Sequence, residues 1–485
     1  MTPPQGHKWG SRVADGSKSI SIPVGWRRTL SRWWEFKVRF PTRWCKWASG
    51  APFPKKIIDT RTSSVATEVA DSNERTPQTR VVSISMYVPY EGIQNAGGEY
   101  IRRHLDEVSK GSKTSVIAFA TPENIQGASK VDPPSLDVIL VNQPLWGKGL
   151  LTRALKRVIR KLAPILPPLD FAIRFMLSPD VRAALREADV VEFQHTELFV
   201  FVYFSRICAP DARFVGVVHD VINERLVRLM ETKGLYGRTI GKAVTAFCHT
   251  IERVTCSSMD ELLVFNSDSK SKLENLGVNS RFVIAPPPLD TPAMPLLEGP
   301  TQRSASAPRI LFVGAFDRAE NQQAALWLMD SIWPKILQKL PEAHLDIVGA
   351  KPSTEMLQAG RKSPNVTITG YVDTLDPYYQ SASVTVVPLL RGAGVKFKTI
   401  TAMLWAVPVV STPIGAEGIL NSDCYLAVTS DTVTFAEAVV RAHIDREHAT
   451  KTAERALLQA RSIYTQQAHA YAIAGIYPNI KASLL

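Results

Sequence analysis

The chain has no uninterrupted apolar run of about 18 residues, the length a membrane-crossing helix needs, so no transmembrane helix is expected. The five cysteines, Cys45, Cys208, Cys248, Cys256 and Cys424, are odd in number and scattered, and no two stand as C-x-x-C. That spacing argues against a disulfide framework and a cysteine zinc site, and it fits a reducing cytoplasm. The phosphate-binding signatures G-x-x-x-x-G-K-[ST] and G-x-G-x-x-G are both missing. Asp-x-Asp, a common metal-holding pair, is missing too. Near the N-terminus, arginines interrupt every apolar stretch, so a secretory signal is not expected.

What is present begins with charge. Across 485 residues, 57 Lys and Arg stand against 45 Asp and Glu, a net +12. The excess is clustered: residues 1–80 contribute +9, and Lys148, Arg153, Lys156, Arg157, Arg160 and Lys161 contribute six more, leaving −3 for the rest. The body of the chain is therefore not basic, and without a recognition module nucleic acid is not an expected partner. Hydrophobic content of 45% and charged content of 21% are those of a folded protein with large cores.

Residues 1–80 form a basic extension holding six of the ten tryptophans. Trp26, Leu30, Trp34 and Val38 recur every four residues among arginines, which predicts a short amphipathic segment ending at Pro41. Trp beside Arg suits a membrane interface. The stretch 149–163 reads as a basic amphipathic helix, either packed on its domain or docked on an anionic bilayer.

From Arg80 onward, short apolar runs alternate with helical stretches: Val81–Met86, Ser115–Ala120, Leu136–Val141, Val190–Phe193, Phe214–Val218 and Leu262–Phe265. After a proline-rich linker at 291–308 the theme repeats at Ile310–Gly314, His344–Gly349, Val366–Thr369, Val384–Val387 and Val409–Thr412, with helices near Gln322–Leu340 and Thr399–Trp405. Such alternation predicts an α/β protein with two doubly wound, Rossmann-like domains, 81–290 and 309–465, facing a central cleft, and a helical tail at 466–485.

The most informative segment runs from Pro388 through Arg391-Gly-Ala-Gly-Val-Lys-Phe-Lys398 to Met403. A strand, a glycine loop and then a helix present unpaired backbone N–H groups and a positive dipole end to an anion. Arg391, Lys396 and Lys398 add three cations, so a diphosphate is the natural guest. The competing reading is a solvated basic loop whose glycines serve only a turn.

This segment resembles the C-terminal domain of the family-4 (group 1) retaining glycosyltransferases of the GT-B fold. Supporting marks are Gly314, Asn321 with Ala325-Leu-Trp327, Val348-Gly349, Gly370-Tyr-Val-Asp373, and Pro408-Val-Val-Ser-Thr412. Further marks in the first half are Ala96-Gly-Gly98, Asp189 to Glu197 and Val218-His-Asp220, so the resemblance covers roughly Ser83 to Tyr464.

The resemblance implies sugar transfer from a nucleotide diphosphate sugar to a glycan or lipid-linked acceptor in cell-surface polysaccharide or glycolipid biosynthesis. It implies retention of configuration and no metal or other cofactor, while the scattered cysteines and the basic segments 20–50 and 149–163 predict a cytoplasmic enzyme that can sit peripherally on the inner face of the membrane. His219 and Lys396 would be catalytic. Gly97, Gly98, Tyr371, Val372, Arg391, Gly392, Gly394, Lys398, Thr401 and Glu417 would hold the donor, with His195 and Asp220 on the acceptor side. His195 is equally a structural hydrogen-bonding residue, and for Asp220 a helix N-cap is the favoured reading.

Three departures bear on activity: Thr401 and Ala393 stand where relatives carry glutamates, and Ala406 where glycine is common. A threonine lacks the charged, bidentate acceptance of a carboxylate, and Glu417 is the expected compensation. The alternatives are a catalytically silent nucleotide-sugar binder and a nucleotide-sugar epimerase of the same architecture.

Overall fold

The computed structural model describes residues 78–477 apart from 94, 132–135, 142–164, 222–234, 291 and 293–306. The amphipathic segments expected within 25–40 and 149–163, most of the linker at 291–308, and residues 478–485 lie outside the described residues.

The first sheet comprises β1 (Thr79–Ser85), β2 (Ser112–Phe119), β3 (Leu136–Val141), β4 (Val190–Gln194), β5 (Arg213–Val218), β6 (Glu261–Val264) and β7 (Arg281–Ile284). Its order is β3-β2-β1-β4-β5-β6-β7, and every neighbouring pair is parallel. These strands are mostly apolar on both faces because helices cover both. Val82, Ile84 and Phe193 pack into one core layer, while Val81, Val190 and Val215 pack into the other.

The second sheet comprises β8 (Arg309–Val313), β9 (His344–Val348), β10 (Val366–Ile368), β11 (Val384–Val387), β12 (Val409–Ser411) and β13 (Ala427–Val428). Its order, β10-β9-β8-β11-β12-β13, is again all parallel. Two Rossmann-like sheets with covering helices are the expected α/β architecture. The short strands β7 and β13 were not anticipated, because Arg281–Ile284 and Ala427–Val428 carry too little periodic pattern to register alone.

In each sheet the chain order reverses once, between β1 and β4 and between β8 and β11. Loops leaving the carboxyl ends of strands at such switch points diverge and open a crevice. The loops of interest leave β1, β4, β5, β8 and β11.

One expected helix is divided. Gln322–Leu340 reads as continuous, but the structure holds helix Ala319–Trp327, a wide turn at Leu328–Ile332, and helix Trp333–Lys339. Pro334 has no N–H to continue the ladder, and its ring crowds the preceding turn. Trp333 is fully buried in the second core. The helix Gln466–Ile473 returns to the first sheet, where Ala470, Ile473, Ile476 and Tyr477 join its core.

Candidate functional site

The loop after β11 is shaped by two glycines. Gly392 (φ 130°) and Gly394 (φ 73°) occupy conformations that side chains oppose. At Gly394 space is also short: a Cβ there would stand 3.1 Å from the carbonyl oxygen of His219 and 3.4 Å from Cβ of Asp220. The loop of the second half thus lies directly against the β5 terminus of the first half.

Lys396 precedes the helix Phe397–Leu404 and is 8% exposed. Its ammonium donates to the Gly394 carbonyl at 2.5 Å and lies 3.5 Å from the Glu417 carboxylate. Glu417 also accepts from Lys272 at 2.8 Å, a lysine on the helix Ser267–Asn275 of the first half. Beside it, Asn266 donates to the Gly418 carbonyl at 3.3 Å. The side chain expected from the sequence to face the ribose is thus also an interdomain tie.

Lys398 points elsewhere. Its ammonium donates to Asn321 Oδ1 at 2.8 Å and sits 5.0 Å from the centre of the Phe312 ring. Burial, then Arg318 and Lys396, pull its pKa down to about 7 against a smaller opposing effect of Glu320. Asn321 is fixed in turn by donating to the Ala315 carbonyl at 2.7 Å. Thr401 donates its hydroxyl to the Phe397 carbonyl at 3.0 Å, leaving the oxygen able to accept. Arg391 is exposed, Tyr371 is 56% exposed, and Val372 packs partly on the second core. Gly370 before them has φ 75°, which exposes the turn.

In the first half, Asn95 caps the helix Ala96–Ser109 by accepting from the Gly98 N–H at 2.6 Å. A Cβ at Gly98 would stand 2.2 Å from Ile93 Cδ1, so the end of that side chain would have to turn aside. A Cβ at Gly97 would stand 3.4 Å from His195 Nε2. His195 adopts φ 80°, and its Nδ1 lies 2.8 Å from the Gln194 carbonyl. It stacks on His219 with ring centres 4.0 Å apart and planes 9° from parallel.

His219 is partly exposed, yet His195, Tyr100 and Phe265 enclose its ring. Burial, with the neighbouring His195 and His104, holds its pKa well below the usual histidine range, so the ring is neutral. The Asp220 carbonyl lies 3.5 Å from the Thr196 hydroxyl. Any capping role of the Asp220 side chain would involve residues beyond 221, outside the described residues.

The structure thus gathers Gly97, His195, His219, Asp220, Gly394, Lys396 and Glu417 along one interdomain seam. Lys398 lies deeper, toward β8. Sequence reasoning missed Lys272, Asn266 and the buried Glu192–Gln194 pair beneath His219. No local pattern marks Lys272, whose partner is 145 positions away. A polar pair inside the otherwise apolar β4 was a usable signal.

Glycine also sets the β8 and β9 ends. Gly349 has φ 147°, and a Cβ there would lie 1.8 Å from the Gly314 carbonyl oxygen. No larger residue allows those two turns to meet.

Residues 307–445 match the family model of the group 1 glycosyl transferases. An uncharacterized 44.6 kDa protein in the cps region of Klebsiella pneumoniae is 32% identical over 139 residues, 27% of this chain and 36% of that protein. The chain therefore spans about a third of the length of that curated relative. Among solved structures, sucrose-phosphate synthase from Thermosynechococcus elongatus superposes with a TM-score of 0.60 at 17% identity, over 84% of this chain and 100% of that one. HepE of Anabaena, solved in complex with UDP and glucose, gives 0.56 at 12% identity over 84% and 99%. TarM gives 0.56 at 9% identity over 82% and 98%. The two-sheet fold is shared across these proteins.

Proposed function

We propose that this chain is a glycosyltransferase that takes a nucleotide diphosphate sugar as donor and a glycan or lipid-linked acceptor. The observation that carries the reading is the left-handed glycine loop after β11, with Lys396 at the mouth of the helix Phe397–Leu404, seated against His219 and Asp220. The family match over 307–445 and the likeness to structures solved with UDP and UDP-glucose support it. The cps-region relative supports a place in polysaccharide biosynthesis.

The chemistry this chain must supply is charge placement. As the glycosidic bond breaks, negative charge grows on the departing nucleoside diphosphate. Groups already aimed at that charge stabilise the transition state more than the ground state. Lys396, the loop N–H groups and the first helical turn are such groups. One charge-assisted hydrogen bond contributes about 1.5–3 kcal/mol, a factor of roughly ten to a hundred in rate. With lysines in this role we propose that no metal is required and that transfer is of hexosyl type with retention. We further propose that the enzyme works in the cytoplasm, with the basic segments 20–50 and 149–163 meeting the inner membrane surface.

A thermal-shift screen with UDP, GDP, ADP and dTDP tests the reading, because a ligand at about 100 times its Kd adds roughly 2.7 kcal/mol of stability. No shift with any of the four would sink it. Binding without sugar transfer or donor hydrolysis would favour a silent binder, and an altered free nucleotide sugar would favour an epimerase.

A further inference from the structure

Beneath His219 lies a buried charge network that the loop chemistry does not use. Glu192 on β4 is fully buried. Burial pushes its carboxyl up, but His104 and hydrogen bonds from His104, Tyr477 and Ser83 outweigh this and hold its pKa at about 2. One carboxylate oxygen accepts from His104 Nε2 at 2.7 Å and from the Tyr477 hydroxyl. The other accepts from Ser83 Oγ at 2.9 Å and from the Gln194 amide. An ionised carboxylate can only accept, so all four neighbours must donate.

That requirement propagates in two directions. Toward the C-terminus, the Pro286 carbonyl faces His469 Nδ1 at 2.9 Å, so that nitrogen carries a proton. Burial and His104 hold the His469 pKa at about 3, so the ring is neutral with its lone pair on Nε2. This lone pair accepts from His104 Nδ1 at 2.9 Å. His104 thus stands between two acceptors, the Glu192 carboxylate at Nε2 and the His469 lone pair at Nδ1.

Toward the cleft, Gln194 spends its NH2 on Glu192 and so turns Oε1 to His219 Nε2, 3.1 Å away. An amide oxygen also only accepts, so His219 Nε2 carries the proton. The neutral ring then has its lone pair on Nδ1, an atom with no hydrogen-bond partner among the described residues.

We propose that Glu192 and Gln194 are positioning residues that lock His219 in the Nε2–H tautomer, leaving Nδ1 as a fixed acceptor at the seam where Gly394 meets β5. The proposal rests on the glycosyltransferase reading for what Nδ1 accepts from, namely a hydroxyl of a bound sugar. The carboxylate acts through two hydrogen bonds and touches no substrate. A purely structural network would hold the C-terminal helix equally well with either tautomer at residue 219.

The test uses full-length protein labelled with 15N-histidine, its His219 signals assigned with His219→Gln, in long-range 15N–1H spectra at pH 7.5. The wild type is expected to show one neutral Nε2–H pattern. In Gln194→Met that exclusive pattern is lost. In Glu192→Gln the new amide can donate as well as accept, Gln194 is no longer forced one way, and both tautomers appear.

With UDP-glucose as probe, kcat for hydrolysis or transfer falls about ten-fold in both variants, the loss of one hydrogen bond, while KM stays within about two-fold. A charged or Nδ1–H His219 in the wild type overturns the proposal. So do variants that keep the wild-type pattern, or that change it with kcat intact. Should Glu192→Gln fail to fold, with His104 stranded, Gln194→Met decides. A wild type that binds none of UDP, GDP, ADP and dTDP would sink the glycosyltransferase reading alone, since the tautomer is read without ligand.

Discussion

Lys272 and Glu417 join the two halves of the molecule through a 2.8 Å ion pair, and the same carboxylate lies 3.5 Å from Lys396. A proposed diphosphate-binding lysine and an interdomain tie thus share one acidic partner. A donor that claims Lys396 competes for it with Glu417.

Lys396→Met removes the proposed counter-charge for the diphosphate. UDP affinity is expected to fall roughly ten-fold to a hundred-fold, with circular dichroism unchanged. Titration calorimetry measures it. Wild-type affinity in the variant would remove Lys396 from the donor site.

Glu417→Gln separates ribose binding from charge screening. If the carboxylate accepts from the ribose, UDP affinity drops about ten-fold, while inorganic pyrophosphate binds as tightly as before or tighter because Lys396 loses a competitor. Weaker binding of both ligands would instead mean that Glu417 acts by orienting Lys396.

Gly394→Ala combines a left-handed φ of 73° with a Cβ 3.1 Å from the His219 carbonyl oxygen. The conformation alone costs about 1–2 kcal/mol, and contact across the seam adds to it. A lowered Tm together with weakened UDP binding is expected. Gly349→Ala is predicted to be worse, because the Gly314 carbonyl cannot move away without parting β8 from β9. Expression of soluble protein is the readout there.

Lys398 makes stability depend on pH. Folded, it releases its proton near pH 7, whereas in the unfolded chain it holds it to about 10.4. Between those values the unfolded state binds more protons, so stability from this group rises with pH, and its full cost is present only below about 7. Relative to Lys398→Met, which lacks the group, the wild type is expected to gain stability from pH 7 to pH 9.5. Denaturant melts at both pH values measure the difference, and a constant difference would mean that the ammonium is not desolvated as described.

Deletion of residues 1–77 leaves β1 whole, since it begins at Thr79. The shortened chain is expected to keep nucleotide binding and lose sedimentation with anionic phosphatidylserine vesicles. Equal sedimentation of both forms would shift the membrane role to 149–163 or abolish it.

Alternation of apolar runs with helical stretches by itself determined the two parallel sheets, because a strand buried on both faces is drawn mainly from apolar residues. The loop after β11 was legible for a similar reason: Gly392, Gly394 and Lys396 act within a few residues, through backbone angles and a helix terminus that the local sequence dictates. Lys272 was not legible. Its exposed-looking helix Ser267–Asn275 carries no sign of a partner in the other half.

Glu192 and Gln194 were visible as an oddity in β4, but not as a relay. Their partners Ser83, His104, His219 and Tyr477 come from four separate stretches of chain. Parallel strands are joined by long crossovers, so residues that face one another lie far apart in sequence, and what each side chain faces is fixed by strand order and by the return of the C-terminal helix. Tertiary structure alone decided which groups must donate and which can only accept, and with that the state of His219.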